Sequence, residues 1–443
     1  DLAVITESQL LSAIDRVYTR AEEISGLAKE LTADLSDVPA EFGNLLGLSA
    51  NAEDAPVVKL LNTVFEEALK MHASDIHIEP QESSLVIRFR IDGVLHIQIT
   101  ADAKISTALV LRLKLMSGLD ISEKRLPQDG RFNIKLRNEA LDIRISTMPT
   151  QHGESVVMRL LAQNTGLLHL DRLHMPPHIL ERFRHAISRP SGIVLVTGPT
   201  GSGKTTTLYA ALNALNTPEK KIITVEDPVE YRLPGINQVQ VHEKIDLTFS
   251  RVLRSALRQD PDIVLIGEMR DQDTAEIGMR ASMTGHLVLS TLHTNDALST
   301  PIRLLDMGVP RYMVALSVQI VLAQRLVRLI CKNCTVPYTL LPHEHLWLKS
   351  ELGDRVDEHH YMHGQGCSHC ANTGYQGRQA VYEMLEMTNT LVEAVNRGDP
   401  NEFMALGREQ MAGKTLRHDA VRLVLAGKTT VDEAMRISTQ PDE

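Results

Sequence analysis

The sequence predicts an α/β protein: a parallel sheet with crossover helices, preceded by a smaller α+β domain. Three observations carry this. From Pro176 onward, short β-branched runs alternate with helical patterns, the mark of parallel strands with helices between them. Ahead of that region, short alternating runs are closed by turn signals such as Asp92-Gly93, which is hairpin chemistry. Between strand and helix patterns stands Gly198-Pro199-Thr200-Gly201-Ser202-Gly203-Lys204-Thr205, which fits G-x-x-x-x-G-K-[ST], the phosphate-binding loop.

That loop has the context it needs. Gly192-Ile-Val-Leu-Val-Thr197 reads as a buried strand, and Leu208, Ala211, Leu212 and Leu215 recur at helical spacing after it. Glycines let backbone N–H groups wrap a phosphate at a helix N-terminus, where partial positive charge favours an anion. Lys204 is expected to reach the β- and γ-phosphates and the Thr205 hydroxyl to hold Mg²⁺. The binding stretch runs on to Thr206.

Taken in order, residues 1–54 are expected to form a helical leading segment and an acidic linker. Thr6-Glu-Ser-Gln9 resembles a capping box, and Leu10, Ile14, Val17, Ile24, Leu27 and Leu31 follow at helical spacing. Residues 55–162 form the α+β domain. Pro56 suits a first helical turn, strands are expected at 75–79, 85–90, 131–136, 141–146 and 154–161, and a helix at 104–116. Arg88, Arg90, Arg125, Arg131, Arg144 and Arg159 cluster there. A linker covers 163–175. The nucleotide-binding core covers 176–330, with strands at 192–197, 222–226, 262–267 and 286–291. Helices are expected at 177–188, 204–215, 248–258, 272–283 and 296–307. A cysteine-bearing, His-rich, loop-like insertion covers 331–380, and 381–443 is helical in pattern.

Four further motifs carry chemistry. Asp262-Ile-Val-Leu-Ile-Gly267-Glu268 is an apolar strand ending in a carboxylate, placed to orient water or Mg²⁺ beside a phosphate loop. Glu226-Asp227-Pro228-Val229-Glu230 sets three carboxylates past the next strand. One of them could act as a base, or the group could be turn chemistry alone. His286 and His293 flank a strand; each reads either as a γ-phosphate sensor or as a structural hydrogen bonder. Cys331-x-x-Cys334 and Cys367-x-x-Cys370 account for the four cysteines. Four thiolates close a tetrahedral Zn²⁺ shell, which implies a structural metal. The intervening loop is longer than in compact zinc ribbons, and His343, His345, His359, His360, His363 or His369 could substitute for one ligand.

Together these motifs resemble the Walker A, Asp, Walker B and His boxes of the bacterial secretion ATPases of type II secretion and type IV pilus assembly. The resemblance runs from about Pro56 to Ser438. It includes Arg125-Leu-Pro-Gln-Asp-Gly-Arg131 and the passage from Ser146 to Glu154. It implies a PAS-like domain joined to a RecA-like P-loop ATPase domain, a tetra-cysteine zinc subdomain, and a homohexamer with ATP between neighbours. It implies ATP/ADP, Mg²⁺ and Zn²⁺ as cofactors, and an inner-membrane platform protein as partner. Arginines on strands similar to those of Arg144 and Arg159 approach the γ-phosphate in that family; the other reading pairs both with Asp142 or Glu154. The cysteine pairs favour the assembly branch over retraction motors. The stretch Glu22-Glu-Ile-Ser-Gly-Leu-Ala28 is most similar to the subgroup serving mannose-sensitive haemagglutinin pili. That subgroup has an N-terminal module that binds cyclic di-GMP, and no such module is visible here.

The expected function is an ATP-hydrolysing motor for pilin or pseudopilin assembly, cytoplasmic and peripheral to the inner membrane. The alternatives are a nucleotide-dependent scaffold with little turnover and a DNA translocase. A formal net charge of -10 and the lack of a basic, aromatic-rich stretch count against nucleic acid. No run of about twenty uncharged apolar residues occurs; residues 314–330 come nearest and are interrupted by Gln319, Gln324, Arg325 and Arg328. No signal-peptide pattern opens the sequence. The first residue, Asp1, leads to the expectation that the numbering begins inside a longer protein.

Overall fold

A computed structural model describes residues 20–37, 56–136, 139–161, 169–370 and 372–438. The expected capping box at Thr6 and the pattern through Leu10, Ile14 and Val17 lie outside the described residues, as do most of the acidic linker and part of the second linker. The chain divides into two compact units, Asp1–Gln163 with Gly366–Asn372, and Asn164–Gln365 with Thr373–Glu443.

The first unit is an antiparallel sheet with helices on one face. Its six strands are β1 (Asp75–Pro80), β2 (Ser84–Ile91), β3 (Val94–Asp102), β4 (Gln128–Leu136), β5 (Glu139–Thr150) and β6 (Gly153–Leu161), in the order β3-β2-β1-β6-β5-β4. Alternation sets the faces. Ile76 and Ile78, Leu85, Ile87 and Phe89, and Val156 and Met158 point to the core. Helix α1 (Arg20–Asp37) adds Ile24, Ala28 and Leu31, and helix α2 (Pro56–Lys70) adds Val57, Leu60, Leu61, Val64 and Phe65 to the same cluster. On helix α3 (Ser106–Met116), Lys114 is fully buried. Its ammonium meets Glu154 at 2.5 Å and donates to the Glu123 carbonyl at 2.7 Å. A buried charge without such partners would be costly.

The second unit is the RecA-like α/β layer. Strands β7 (Gly192–Thr197), β8 (Ile222–Glu226), β9 (Asn237–Gln240), β10 (Ile263–Ile266), β11 (Leu287–Leu292), β12 (Val318–Ile330) and β15 (Tyr375–Glu386) are ordered β15-β12-β7-β11-β10-β8-β9. All neighbours are parallel except β12 with β15. Strands β7, β8, β10 and β11 are buried throughout, as strands covered by helices on both faces must be. Helices α4 (Pro177–Ile187), α5 (Lys204–Leu215), α6 (Phe249–Ala256), α7 (Gln272–Met283) and α8 (Ser299–Asp306) connect them. Asp271 caps α7 by accepting from the Thr274 N–H at 2.8 Å.

Two strands depart from the expectation. Residues 318–330 form the thirteen-residue β12, buried along most of its length despite Gln324 and Arg325. The stretch beyond Leu329, expected to be loop-like, holds helix α10 (Pro342–Leu352), a small pair of strands, β13 (Thr335–Tyr338) and β14 (Tyr361–Gly364), and the long β15. Helices Asn389–Arg397 (α11), Pro400–Gln410 (α12), Leu416–Leu425 (α13) and Val431–Ser438 (α14) follow β15, and Arg311–Ser317 (α9) precedes β12.

Candidate active site

In a parallel sheet the C-terminal strand ends face the ligand. Here β7 ends at the phosphate loop, β10 runs into Glu268 and β11 into His293. The loop turns on glycines in conformations that other residues rarely adopt. Gly198 has φ 145°, and a Cβ there would lie 2.5 Å from the Gln324 carbonyl oxygen. Gly203 (φ 91°) starts α5 in the left-handed region. Lys204 Nζ donates to the Gly198 and Pro199 carbonyls at 2.7 and 3.1 Å, contacts that a phosphate can take over. Burial lowers the Lys204 pKa to about 8, opposed by the Glu268 carboxylate. Thr205 and Thr206 follow on the first turn of α5, both half-buried.

Glu268 is nearly buried. It takes the Arg270 guanidinium at 2.6 Å and stands 3.6 Å from His293 Nε2. Burial, and then the Lys204 charge, hold His293 below its usual pKa, so at neutral pH its ring is an uncharged hydrogen-bonding group. The structure thus brings Lys204, Glu268 and His293 to one place. It does not bring His286 there. That residue lies at the other end of β11, and its Nδ1 is 2.8 Å from the Ala281 carbonyl at the end of α7. Glu226 is turned inward: it accepts from the Tyr209 hydroxyl, from Thr224 Oγ1 at 2.5 Å and from Gln238 Nε2 at 3.2 Å. Asp227 is exposed and Glu230 half-buried in the turn that follows.

Sequence reasoning missed the residues behind the loop. Gln324 Nε2 donates to the Ser202 carbonyl at 2.7 Å, and its Oε1 accepts from Thr207 Oγ1 at 2.8 Å. Arg325, buried beside it, donates to the Asn295 carbonyl. The signal was present: polar side chains inside an apolar strand need partners.

The chain as a whole is similar to known proteins. The family model for "Type II/IV secretion system protein" matches residues 50–436. The chain belongs to that family. It is 47% identical over 430 residues to the type II secretion system protein E of Dickeya dadantii, covering 96% of this chain and 84% of that protein. It is 43% identical to the type II secretion system ATPase E of Vibrio cholerae, covering 99% and 87%. It is equally 43% identical to the type IV pilus assembly ATPase PilB of Myxococcus xanthus, covering 100% and 78%. Among solved structures, the ADP-bound pilus retraction motor PilT has a TM-score of 0.58 at 26% identity, over 86% of this chain and 97% of that one. The Legionella pneumophila ATPase DotB, at 0.63 and 21% over 86% and 95%, shares the fold. This secretion-family chain is an ATPase.

The other predicted residues of this family member lie as follows. Arg144 and Arg159 stand directly opposite each other on β5 and β6, in one row with Arg131 on β4, Asp75 on β1 and Arg90 on β2. Arg159 Nε donates to Asp75 at 2.9 Å, and Glu154 is engaged by Lys114. The ligand atoms of Cys331, Cys334, Cys367 and Cys370 all lie within 4.8 Å of one another. A Zn–S tetrahedron has S···S separations of about 3.8 Å, so the four thiols fit zinc. No histidine joins that group among the described residues. Among those residues, too, no helix is long and apolar enough to cross a membrane.

Proposed function

We propose that this ATPase is the hexameric motor that powers assembly of pilin or pseudopilin subunits from the cytoplasmic face of the inner membrane. Its work is received by a membrane platform protein. The observation that carries this is the convergence of Lys204, Glu268 and His293 at the open end of the parallel sheet, in a chain whose relatives are named for secretion and pilus assembly. In this reading Lys204 and the loop amides bind the phosphates, and Glu268 activates the attacking water. His293 senses the γ-phosphate, and Arg144 and Arg159 neutralise transition-state charge. Thr205 would hold Mg²⁺, which would supply Lewis-acid stabilisation of the charge on the phosphate oxygens, and the four cysteines would hold Zn²⁺ in a structural role. Of the carboxylates past β8, Asp227 and Glu230 stay candidates for a supporting base; Glu226 has the more structural setting. Regulation by cyclic di-GMP would come through a module outside this chain.

The test is turnover of the purified protein. Lys204→Ala is expected to abolish hydrolysis without unfolding. Glu268→Gln is expected to keep ATP binding and lose hydrolysis, because the amide keeps shape and loses charge. Normal turnover in either variant sinks the assignment. A second reading, a switch that binds ATP with little turnover, is favoured by the Glu268–Arg270 pair, which engages the proposed base. Steady turnover of the wild-type chain at saturating ATP would exclude it.

A further inference from the structure

The loop that carries His293 is held by two buried charged side chains outside the boxes so far described. Glu383 lies on β15 opposite Ala323 of β12, and Arg325 stands two residues further along β12. The two share one sheet face. Glu383 is 3% exposed and Arg325 4%. Each oxygen of the Glu383 carboxylate has a different task. Oε1 accepts the Ala297 N–H at 2.8 Å, four residues past His293. Oε2 accepts the Leu416 N–H at 2.9 Å. Leu416 is the first residue of α13, where the N–H has no partner within its own helix and negative charge is favoured. Arg325 grips the same loop at Asn295, donating to its carbonyl and, at 3.2 Å, to its side-chain oxygen. Through the neighbouring Gln324, β12 also holds the phosphate loop at Ser202. One strand pair therefore fixes both edges of the nucleotide site and the start of α13.

We propose that Glu383 and Arg325 are positioning residues for ATP hydrolysis, which set the 293–297 loop so that His293 meets the γ-phosphate and tie that loop to the C-terminal helices. The inference rests on the reading of His293 as a phosphate sensor. It does not rest on the identity of the secretion system. A carboxylate suits the place because both groups that face it are donors. A glutamine offers one acceptor oxygen and an NH₂, so it can satisfy only one of the two N–H groups and sets a donor against the other. A lysine at 325 keeps the charge and loses the fork whose Nη2 reaches the Asn295 oxygens while Nη1 donates to the Gln324 carbonyl.

The experiment compares Glu383→Gln, Arg325→Lys, His293→Ala and the double variant Glu383→Gln/His293→Ala in the full chain. It measures kcat, KM and ATP affinity, with folding checked by circular dichroism and melting. Displacement of the loop should lower kcat by about tenfold or more in Glu383→Gln and Arg325→Lys, while ATP affinity shifts by less than about threefold. Because Glu383 acts through the loop, the double variant should be no more than about twofold slower than His293→Ala. A general loss of packing would not give that non-additivity. Wild-type kcat in Glu383→Gln, with His293→Ala slow, overturns this inference and leaves the sensor reading standing. Multiplying effects in the double variant also overturn it. Wild-type kcat in His293→Ala removes the sensor reading and this inference with it, while hydrolysis at Lys204 and Glu268 is untouched. If Glu383→Gln fails to fold, Arg325→Lys decides: wild-type kcat there overturns the bracing of the loop.

Discussion

Lys204 shows how burial tunes one residue. Its amine is largely desolvated against the loop carbonyls, and its pKa falls to about 8 from the ordinary lysine value. The sign follows directly. Below pH 8 the folded protein holds the lysine charged; above it, the free enzyme loses that charge, although an unfolded chain would keep it to about 10.4. This group's contribution to folding stability therefore improves as pH rises between the two values, while its attraction for phosphate declines. Bound ATP restores the charge, since a phosphate beside an ammonium raises its pKa. We predict that kcat/KM for ATP falls as pH passes through about 8 and that kcat stays level further into alkali, because the first reports the free enzyme and the second the complex. A pH series under steady-state conditions checks this; a flat kcat/KM up to pH 10 contradicts it. At this scale the sequence pointed to Lys204, Glu268 and His293, whose motifs are local and which the structure brings near one another. It could not separate Glu226 or His286 from their neighbours. Which way a carboxylate turns depends on Tyr209 and Gln238, and which end of a strand a histidine occupies depends on sheet direction.

Among elements, the legible ones were those whose signals are contained within themselves. The strands and helices around the loop agree with the expected ranges to within a few residues because each is a buried run or a capped amphipathic stretch. Strand β12 was not legible. Its polar residues interrupt the run because they have distant tasks: Gln324 at the phosphate loop, Arg325 at Asn295, and Arg328, which donates to Glu433 at 2.6 Å on α14. The cysteine element sits between these cases. Its spacing announced a metal, and the fold brings the four sulfurs together through two turns, in which the Cys334 N–H meets the Cys331 carbonyl and the Cys370 N–H the Cys367 carbonyl. We predict about one zinc per chain in metal analysis of the purified protein. Cys367→Ser should lower the melting temperature, since binding energy at a structural site is folding energy, on the order of 10 kcal/mol for closed zinc sites. Metal-free protein with four freely reactive thiols would remove the site.

For the whole molecule, the question is how charge reaches the transition state. The ATPase motifs supply a lysine, carboxylates and a magnesium ligand, while arginines collect on one face of the first unit. Arg131, Arg144 and Arg159 stand side by side on three strands, and Arg159 pairs with Asp75 in the same row. The alternative that surface pairs with Asp142 or Glu154 occupy them has weakened at Glu154, which is held by the buried Lys114. Arg159 is half exposed but its partner Asp75 is buried, so the pair is worth more than the roughly 0–1 kcal/mol of an exposed one, and a phosphate that takes the arginine has to compensate for it. If arginines of one subunit complete the site of its neighbour, removing such a finger should cost about a thousandfold or more in turnover, with ATP affinity less affected. The decisive measurement mixes Arg144→Ala with Lys204→Ala subunits, each inactive alone. In a mixed ring some interfaces pair an intact loop from one variant with an intact arginine from the other, so hydrolysis should partly return. Sites confined to single chains would give no recovery at any ratio. Full activity of the Arg144→Ala, Arg159→Ala double variant would refute the fingers outright, whatever the mixture shows.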